Sequence, residues 1–171
     1  MSDPIIRPIA ETDSLEHLTE LLHRAYARLA EMGLRFFATH QTVEQTRSRV
    51  ESGRCFVAEL DGRIVGTICL YRRTLEHGPA WYARDGVGYF GQFGVEPAHQ
   101  GGGIGNLLLE HVERAARAVG LDELALDTAE TATHLIEYYA RHGYRLVDGV
   151  QWKDVNYRSV VMSKTLVDGA S

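Results

Sequence analysis

Glycines are concentrated in one short segment, EPAHQGGGIGNLLLEH at residues 96–111, just before an apolar run with helical spacing. Three are consecutive, Gly101 to Gly103, and a fourth follows at Gly105. Such a loop exposes backbone N–H groups, and the N-terminus of the following helix adds more of them with a partial positive charge. The pattern predicts an anion site, most naturally for a phosphate or pyrophosphate. A plain turn with glycines for tight packing is the alternative.

Two familiar nucleotide motifs do not fit this loop. A P-loop requires Gly-Lys-Ser/Thr, whereas Gly105 is followed by Asn106 and Leu107. A dinucleotide fingerprint would begin at Gly101 and would need a glycine where Asn106 stands. A nicotinamide dinucleotide is therefore the weaker alternative for the ligand.

The elements that must position the loop follow from the spacing of apolar residues and from turn residues. Leu15, Leu18, Leu22 and Leu29 recur as a one-sided helix requires, and Gly33 is expected to end that helix. The sequence further predicts strands at 5–9, 89–95, 123–128, 144–148 and 156–166, a hairpin at 54–73, and helices at 42–52, from 104 to near 120, and at 133–143. This order is typical of a mixed α/β layer architecture.

The hairpin determines what can be expected of the two cysteines. A two-residue type I′ turn at residues 61–62 places Cys55 opposite Ile68 and Cys69 opposite Arg54. The two cysteines would then point to opposite faces of the sheet, and no disulfide is expected between them.

Composition excludes several classes of function. The chain has 171 residues and a net charge of −5, so we expect one domain over residues 1–171 and no nucleic-acid partner. No apolar run reaches the length of a membrane span, and residues 1–10 do not resemble a signal peptide. We therefore expect a cytoplasmic protein with no membrane partner. The eight histidines show no metal-ligand spacing, so no metal is expected.

The pattern Gln100-x-x-Gly103-x-Gly105, between a strand and a long helix, resembles the signature Gln/Arg-x-x-Gly-x-Gly/Ala of the GNAT family of N-acetyltransferases. IIRPI followed by a capped helix resembles the first strand and helix of that family, and YYARHGYRLV resembles its Tyr-x-x-x-Gly-Phe segment. The resemblance covers nearly the whole chain. It implies a mostly antiparallel central sheet with helices on both faces and with splayed fourth and fifth strands.

The same resemblance implies acetyl-CoA as co-substrate and a set of residues that bind it. Phe93 and Val95 would hold the pantetheine arm, and the Val95 amide would polarise the thioester carbonyl. Where the family has an asparagine after the fifth strand, this chain has threonines, and Thr128 is taken as the substitute contact. The pyrophosphate would lie on Gln100, Gly101, Gly102, Gly103, Ile104, Gly105 and Asn106.

The catalytic assignments also come from the resemblance. Tyr139, four residues before Gly143, takes the place of the general acid that protonates the departing thiolate. From periodicity alone it would be a buried core tyrosine, and Tyr138 is the neighbour most easily confused with it. Many members carry a glutamate on the fourth strand where this chain has Gln92, which cannot accept a proton, so a water relay through Gln92 is expected. The alternative bases are Asp127, Glu130 and His134.

The acceptor is expected near aromatic and acidic residues that precede the fourth strand. These are Phe37, His40, Glu76, Trp81 and Asp85. Aromatic rings with nearby carboxylates suit a small cation, which favours a small-molecule amine that attacks acetyl-CoA directly in a ternary complex. The alternative is a module of the same fold that binds acyl-CoA without turnover. The C-terminal strand offers a way to pair two copies as a homodimer.

Overall fold

The computed structural model describes residues 2–72, 78–153 and 155–166. The helices are α1 (Leu15–Ala25), α2 (Ala27–Glu31), α3 (Val43–Glu51), α4 (Ile104–Ala118) and α5 (Thr133–Arg141), with single 3₁₀ turns at Phe37–Thr39, Ala80–Ala83 and Pro97–His99. The strands are β1 (Ile5–Pro8), β2 (Arg54–Leu60), β3 (Arg63–Tyr71), β4 (Val87–Val95), β5 (Glu123–Ala129), β6 (Arg145–Val150) and β7 (Ser159–Thr165). In the part of the chain that is described, no helix combines the length and apolarity that crossing a membrane requires.

The strands form a mixed sheet in the order β1-β2-β3-β4-β5-β7-β6, flanked by helices and mostly antiparallel. Only three residues of each strand pair in the parallel β4–β5 ladder, Val87–Tyr89 with Glu123–Ala125, although both strands continue beyond them. The predicted fold class, with its separation of the fourth and fifth strands, is confirmed.

The chain divides into two compact units, one of residues 1–71 and 91–112 and the other of residues 72–90 and 113–171. Strand β4 and helix α4 supply residues to both units. The single domain over residues 1–171 stays a prediction.

The first unit is built on the helix that the leucine spacing predicts, but that helix is interrupted. Ser14 caps α1 by accepting a hydrogen bond from the His17 amide, and Leu18 and Leu21 pack with Val57 in the core. At Tyr26 the backbone leaves the helical region with φ −101° and ψ 2°, so α1 and α2 are separate helices. The hydroxyl of Tyr26 donates to the carbonyl of Phe93 at 2.7 Å, which ties this break to strand β4.

The expectation for the cysteines was wrong because the hairpin contains a β-bulge. The turn is as predicted, since Leu60 pairs with Arg63. Between Ala58 and Glu59, however, the register shifts by one residue along β3. Cys55 therefore lies directly opposite Cys69, and the two form a disulfide with Cα atoms 4.0 Å apart.

The second unit contains α5 and the antiparallel strands β5, β7 and β6. A buried cluster connects helix α4 to β7, because Glu113 accepts a hydrogen bond from the Tyr144 hydroxyl at 2.7 Å and forms an ion pair with Lys164 at 3.1 Å. Burial and the Glu113 carboxylate raise the pKa of Tyr144. Strand β7 pairs with β5 on one side and with β6 on the other. Both edges of β7 are thus paired within the chain, and the homodimer stays a prediction.

Candidate active site

The glycine loop of the first unit combines an unusual backbone with open surroundings. Gly101 and Gly103 have φ values of +81° and +91°, which side-chain-bearing residues rarely adopt. Apart from the adjacent residues of the chain, a Cβ atom at either position would meet no atom of the described residues within 4 Å. The glycines are therefore favoured by backbone conformation, and the space beside them is open to solvent.

The same loop presents backbone donors. Within the described part of the chain, none of the amides of residues 101–105 donates to a backbone carbonyl, and the first α4 bond of this kind joins the Leu107 amide to the Gly103 carbonyl at 3.1 Å. These amides stand at the N-terminus of a 15-residue helix. Gln100 steadies the loop, since its Nε2 donates to the Val95 carbonyl at 3.0 Å. The geometry suits a polyanionic ligand such as a pyrophosphate.

Strand β4 is distorted at the position predicted to face the reaction. Gln92 has a φ of +49°, a conformation that is rare for a residue with a side chain and that often marks a functional site. Beyond it, Phe93 and Val95 are half-buried, and Gly94 packs against α1, where a Cβ atom would lie 3.1 Å from that of Ala25. The two residues predicted to hold the pantetheine arm therefore follow a break in the regular strand.

The side chain of Gln92 is held in a buried hydrogen-bond chain. Its Oε1 accepts from Nε2 of Gln41 at 2.7 Å, and its Nε2 lies 3.8 Å from Sγ of Cys69. Gln41 also donates to Thr46, whose hydroxyl lies 2.6 Å from that of Thr19. Because Gln92 is only 3% exposed, its amide is fixed by protein partners. Gln41 was missed from the sequence, where nothing distinguished it from a polar loop residue.

Tyr139, the predicted general acid, lies in an aromatic cluster of the second unit. Its ring contacts those of Phe90, Tyr138 and Tyr144 at centroid distances of 5.9, 5.3 and 6.0 Å. Tyr139 is 7% exposed, whereas Tyr138 is half-buried with its ring 4.4 Å from that of His142. The two neighbouring tyrosines thus occupy different environments.

The alternative base Asp127 is strongly hydrogen-bonded. Its two carboxylate oxygens accept from the Tyr82 hydroxyl at 2.6 Å and from the Trp152 indole N–H at 2.8 Å. Tyr82 stacks on Tyr89 at 4.2 Å, and burial together with the Asp127 carboxylate holds the pKa of Tyr82 well above its usual value. Glu130 and His134 are exposed. The pair of Tyr82 and Asp127 was not predicted, because its members are 45 residues apart.

The remaining predicted residues occupy varied environments. In the first unit, Phe37 is 38% exposed and its ring lies 5.9 Å from that of the exposed His40. In the second unit, the guanidinium carbon of Arg84 lies 4.2 Å from the centroid of the Trp81 ring. Asp85 is exposed. Glu76 lies outside the described residues.

Thr128 is the least accessible of the predicted cofactor contacts. It is 3% exposed, and within the described residues its hydroxyl oxygen is buried and makes no hydrogen bond. A contact with pantetheine would therefore require that this oxygen first be uncovered.

No metal centre emerges from the described residues, which contain no group of three or more His, Cys, Asp or Glu side chains placed to hold an ion.

Comparison with known proteins identifies relatives of this chain. The model of the acetyltransferase (GNAT) family matches residues 15–144. The S-(2-succino)cysteine N-acetyltransferase of Bacillus subtilis (strain 168) is 34% identical over 165 residues, which cover 95% of this chain and 96% of that protein.

Solved structures resemble the fold at lower sequence identity. A GNAT acetyltransferase from Elizabethkingia anophelis with acetyl-CoA bound has a TM-score of 0.68 at 17% identity, covering 96% of this chain and 99% of that one. The ribosomal-protein-S18-alanine N-acetyltransferase from Escherichia coli has a TM-score of 0.73 at 17% identity, covering 98% and 97%.

Proposed function

This chain belongs to the acetyltransferase (GNAT) family, and from that membership we propose which acceptor it uses and how its residues divide the reaction. It is an N-acetyltransferase with acetyl-CoA as donor. The proposed acceptor is a small-molecule amine, which attacks the thioester directly while both substrates are bound. A relative that shares 34% of its residues and is named for acetylating a cysteine derivative supports an amino-acid-like amine. The fold likeness to a protein-modifying enzyme, at 17% identity, carries no argument about the acceptor.

The observation that carries the proposal is the open glycine loop. Residues 100–106 would bind the pyrophosphate, chiefly through the amides of residues 101–105, which donate to no backbone carbonyl of the described residues, and Phe93 and Val95 would hold the pantetheine arm. The Val95 amide would donate to the thioester oxygen as charge develops on it. A preorganised donor of this kind contributes about 3 kcal/mol to the barrier reduction.

The acceptor must lose a proton before it can attack. An alkylamine has a pKa of about 10, so removing its proton at neutral pH costs about 4 kcal/mol. Gln92 cannot accept that proton, and both oxygens of Asp127 already accept hydrogen bonds from other side chains. We therefore assign the proton to solvent water and give Gln92 the task of orienting the water or the amine.

Tyr139 is the proposed general acid for the departing thiolate of CoA. A thiol has a pKa of about 8.5, so CoA can depart as a thiolate without first being protonated. Proton donation by Tyr139 should therefore accelerate the reaction without being indispensable to it.

The proposal is tested by following thiol release from acetyl-CoA over a panel of amines. The panel contains S-(2-succino)cysteine, free amino acids, simple alkylamines and a peptide N-terminus. We expect turnover on a small amine. Turnover on the peptide alone would overturn the proposed acceptor. Acetyl-CoA binding without thiol release from any member would favour a non-catalytic acyl-CoA-binding module.

A further inference from the structure

Arg49, near the end of α3, is half-buried, and its guanidinium contacts two uncharged side chains, those of Phe37 and Gln41. Its guanidinium carbon lies 5.0 Å from the ring centroid of Phe37, and its Nη1 donates to Oε1 of Gln41 at 3.2 Å. Among residues 2–72, 78–153 and 155–166, no carboxylate lies within ion-pair distance of Arg49. Three other arginines of the same unit do have such partners, Arg7 with Asp13 and Glu59, Arg24 with Glu96, and Arg47 with Glu44.

Within the described residues, this arrangement leaves the charge of Arg49 without a carboxylate partner. Removing a guanidinium from water without an opposite charge is costly. The ring of Phe37 and one amide oxygen offset only part of that cost. Such a site suits the anionic group of a bound ligand.

The guanidinium also lies against the strand predicted to carry the chemistry. A Cβ atom at Gly91 would come within 3.2 Å of Nη2 of Arg49, so a glycine lets the charged group approach β4. Gln41 then connects the two positions, since its Oε1 accepts from Arg49 and its Nε2 donates to Gln92. Arg49 is therefore one side chain removed from the proposed reaction centre at Gln92.

From this geometry we propose that Arg49 binds a carboxylate of the acceptor, which makes the acceptor an amine that also carries a carboxylate group. The planar guanidinium retains donors beyond the one that Gln41 uses, and it matches a carboxylate through two parallel hydrogen bonds. The exposed ring of Phe37 leaves the site open on one side. The inference rests on the proposed function and narrows its substrate class.

The test compares an acceptor with its uncharged analogue in three variants. Thiol release is measured with S-methyl-L-cysteine and with its carboxamide for wild type, Arg49→Met and Arg49→Lys. Each acceptor is compared across variants, so the amine pKa of that acceptor cancels. Arg49→Met should lower kcat/KM for the acid by about 10- to 100-fold and change that for the amide by less than about threefold. With the acid, the kcat/KM of Arg49→Lys should lie between those of wild type and Arg49→Met.

Arg47→Met is the matched control, because Arg47 lies on the same helix and its side chain is 46% exposed. This variant should have the wild-type kcat/KM for both acceptors. The rise in melting temperature with acetyl-CoA should be the same in all variants. A loss of that rise in Arg49→Met would mean that the residue binds a CoA phosphate, and equal losses on acid and amide would mean a structural role. Either result overturns the proposal.

A binding measurement separates this inference from the proposed function. Wild type and Arg49→Met are titrated calorimetrically with S-methyl-L-cysteine and with its carboxamide in the presence of CoA. Selective binding of the acid by wild type alone supports the inference even if no thiol is ever released, in which case only the proposed turnover fails. Failure of wild type to prefer the acid overturns the inference, whatever the enzyme acetylates.

Discussion

Tyr139 and Tyr138 are adjacent in sequence and differ in surroundings, which makes them a matched pair. Tyr139→Phe keeps the ring that packs on Phe90 and Tyr144 and removes only the hydroxyl. If that hydroxyl protonates the leaving thiolate, steady-state kinetics should show kcat reduced by about 100-fold with acetyl-CoA binding little changed. Tyr138→Phe should be nearly silent. Equal effects of the two changes, or unfolding of Tyr139→Phe, would contradict the assignment.

Gln92 is a second residue whose role can be tested by a small change. With no carboxylate at this position, kcat/KM should rise with pH, and the pH range of this rising limb should be set by the ionisation of the amine. Gln92→Glu keeps an acceptor for the Gln41 amide, and burial would raise the pKa of the new carboxylate toward neutrality. That carboxylate could accept the proton from the amine, so the limb should move to lower pH.

Varying the acceptor provides the control for Gln92. In wild type, an amine whose pKa is lower by about two units should move the rising limb of kcat/KM to lower pH by about two units. The reason is that no protein base takes the proton. A limb that stays fixed would indicate a protein base, with Asp127, Glu130 and His134 as the candidates.

At the scale of elements, the loop before α4 makes a prediction that separates ligand binding from backbone strain. Gly102 is the member of the triplet without a positive φ, and among the described residues that are not its chain neighbours, a Cβ atom there would meet the His99 carbonyl alone, at 3.5 Å. Gly102→Asp should therefore fold, while its charge opposes an anionic ligand at the helix N-terminus. We expect the rise in melting temperature caused by acetyl-CoA to be largely lost.

Gly102→Ala is the control for this prediction, since it adds a methyl group and no charge. It should retain most of the acetyl-CoA-induced stabilisation. An undiminished rise in Gly102→Asp would show that the loop is structural and that the cofactor binds elsewhere.

At the scale of the whole molecule, ion pairs make the stability depend on pH. Hydrogen bonds from Arg7 lower the pKa of Asp13 below its ordinary value of 3.8, and Arg24 likewise lowers the pKa of Glu96 below 4.5. The unfolded chain therefore binds protons at a higher pH than the folded protein does. The stability from these pairs is complete above the ordinary values and is lost as the pH falls through the lowered ones.

Asp13→Asn tests this dependence. The variant should be less stable than wild type near neutral pH, and it should lose less stability between about pH 5 and about pH 2, as measured by urea unfolding. Glu31→Gln, at an exposed position, should follow the wild-type curve. Parallel curves for Asp13→Asn and wild type would show that the pair with Arg7 does not contribute.

The sequence by itself determined the features that depend on local chemistry. The glycines at 101 and 103 can be recognised in the sequence because other residues rarely adopt their backbone conformation. The helices α1, α4 and α5 can be recognised from their apolar spacing because one face of each must be buried. The turn at residues 61–62 was correct for the same reason, since two adjacent residues define it. Together with the signature around Gln100, these local constraints were sufficient for the family and the fold class.

Only the tertiary structure decided what depends on register and on distant neighbours. One bulge in the β2–β3 ladder, beside Gly66, moved Cys55 opposite Cys69, and counting residues from the turn did not include it. The contact of Arg49 with Gln41, and of Gln41 with Gln92 across 51 residues, is equally invisible to spacing, because helices and strands can pack in many registers. The partners of a side chain are set by the packing of the whole core, and a linear pattern does not contain that information.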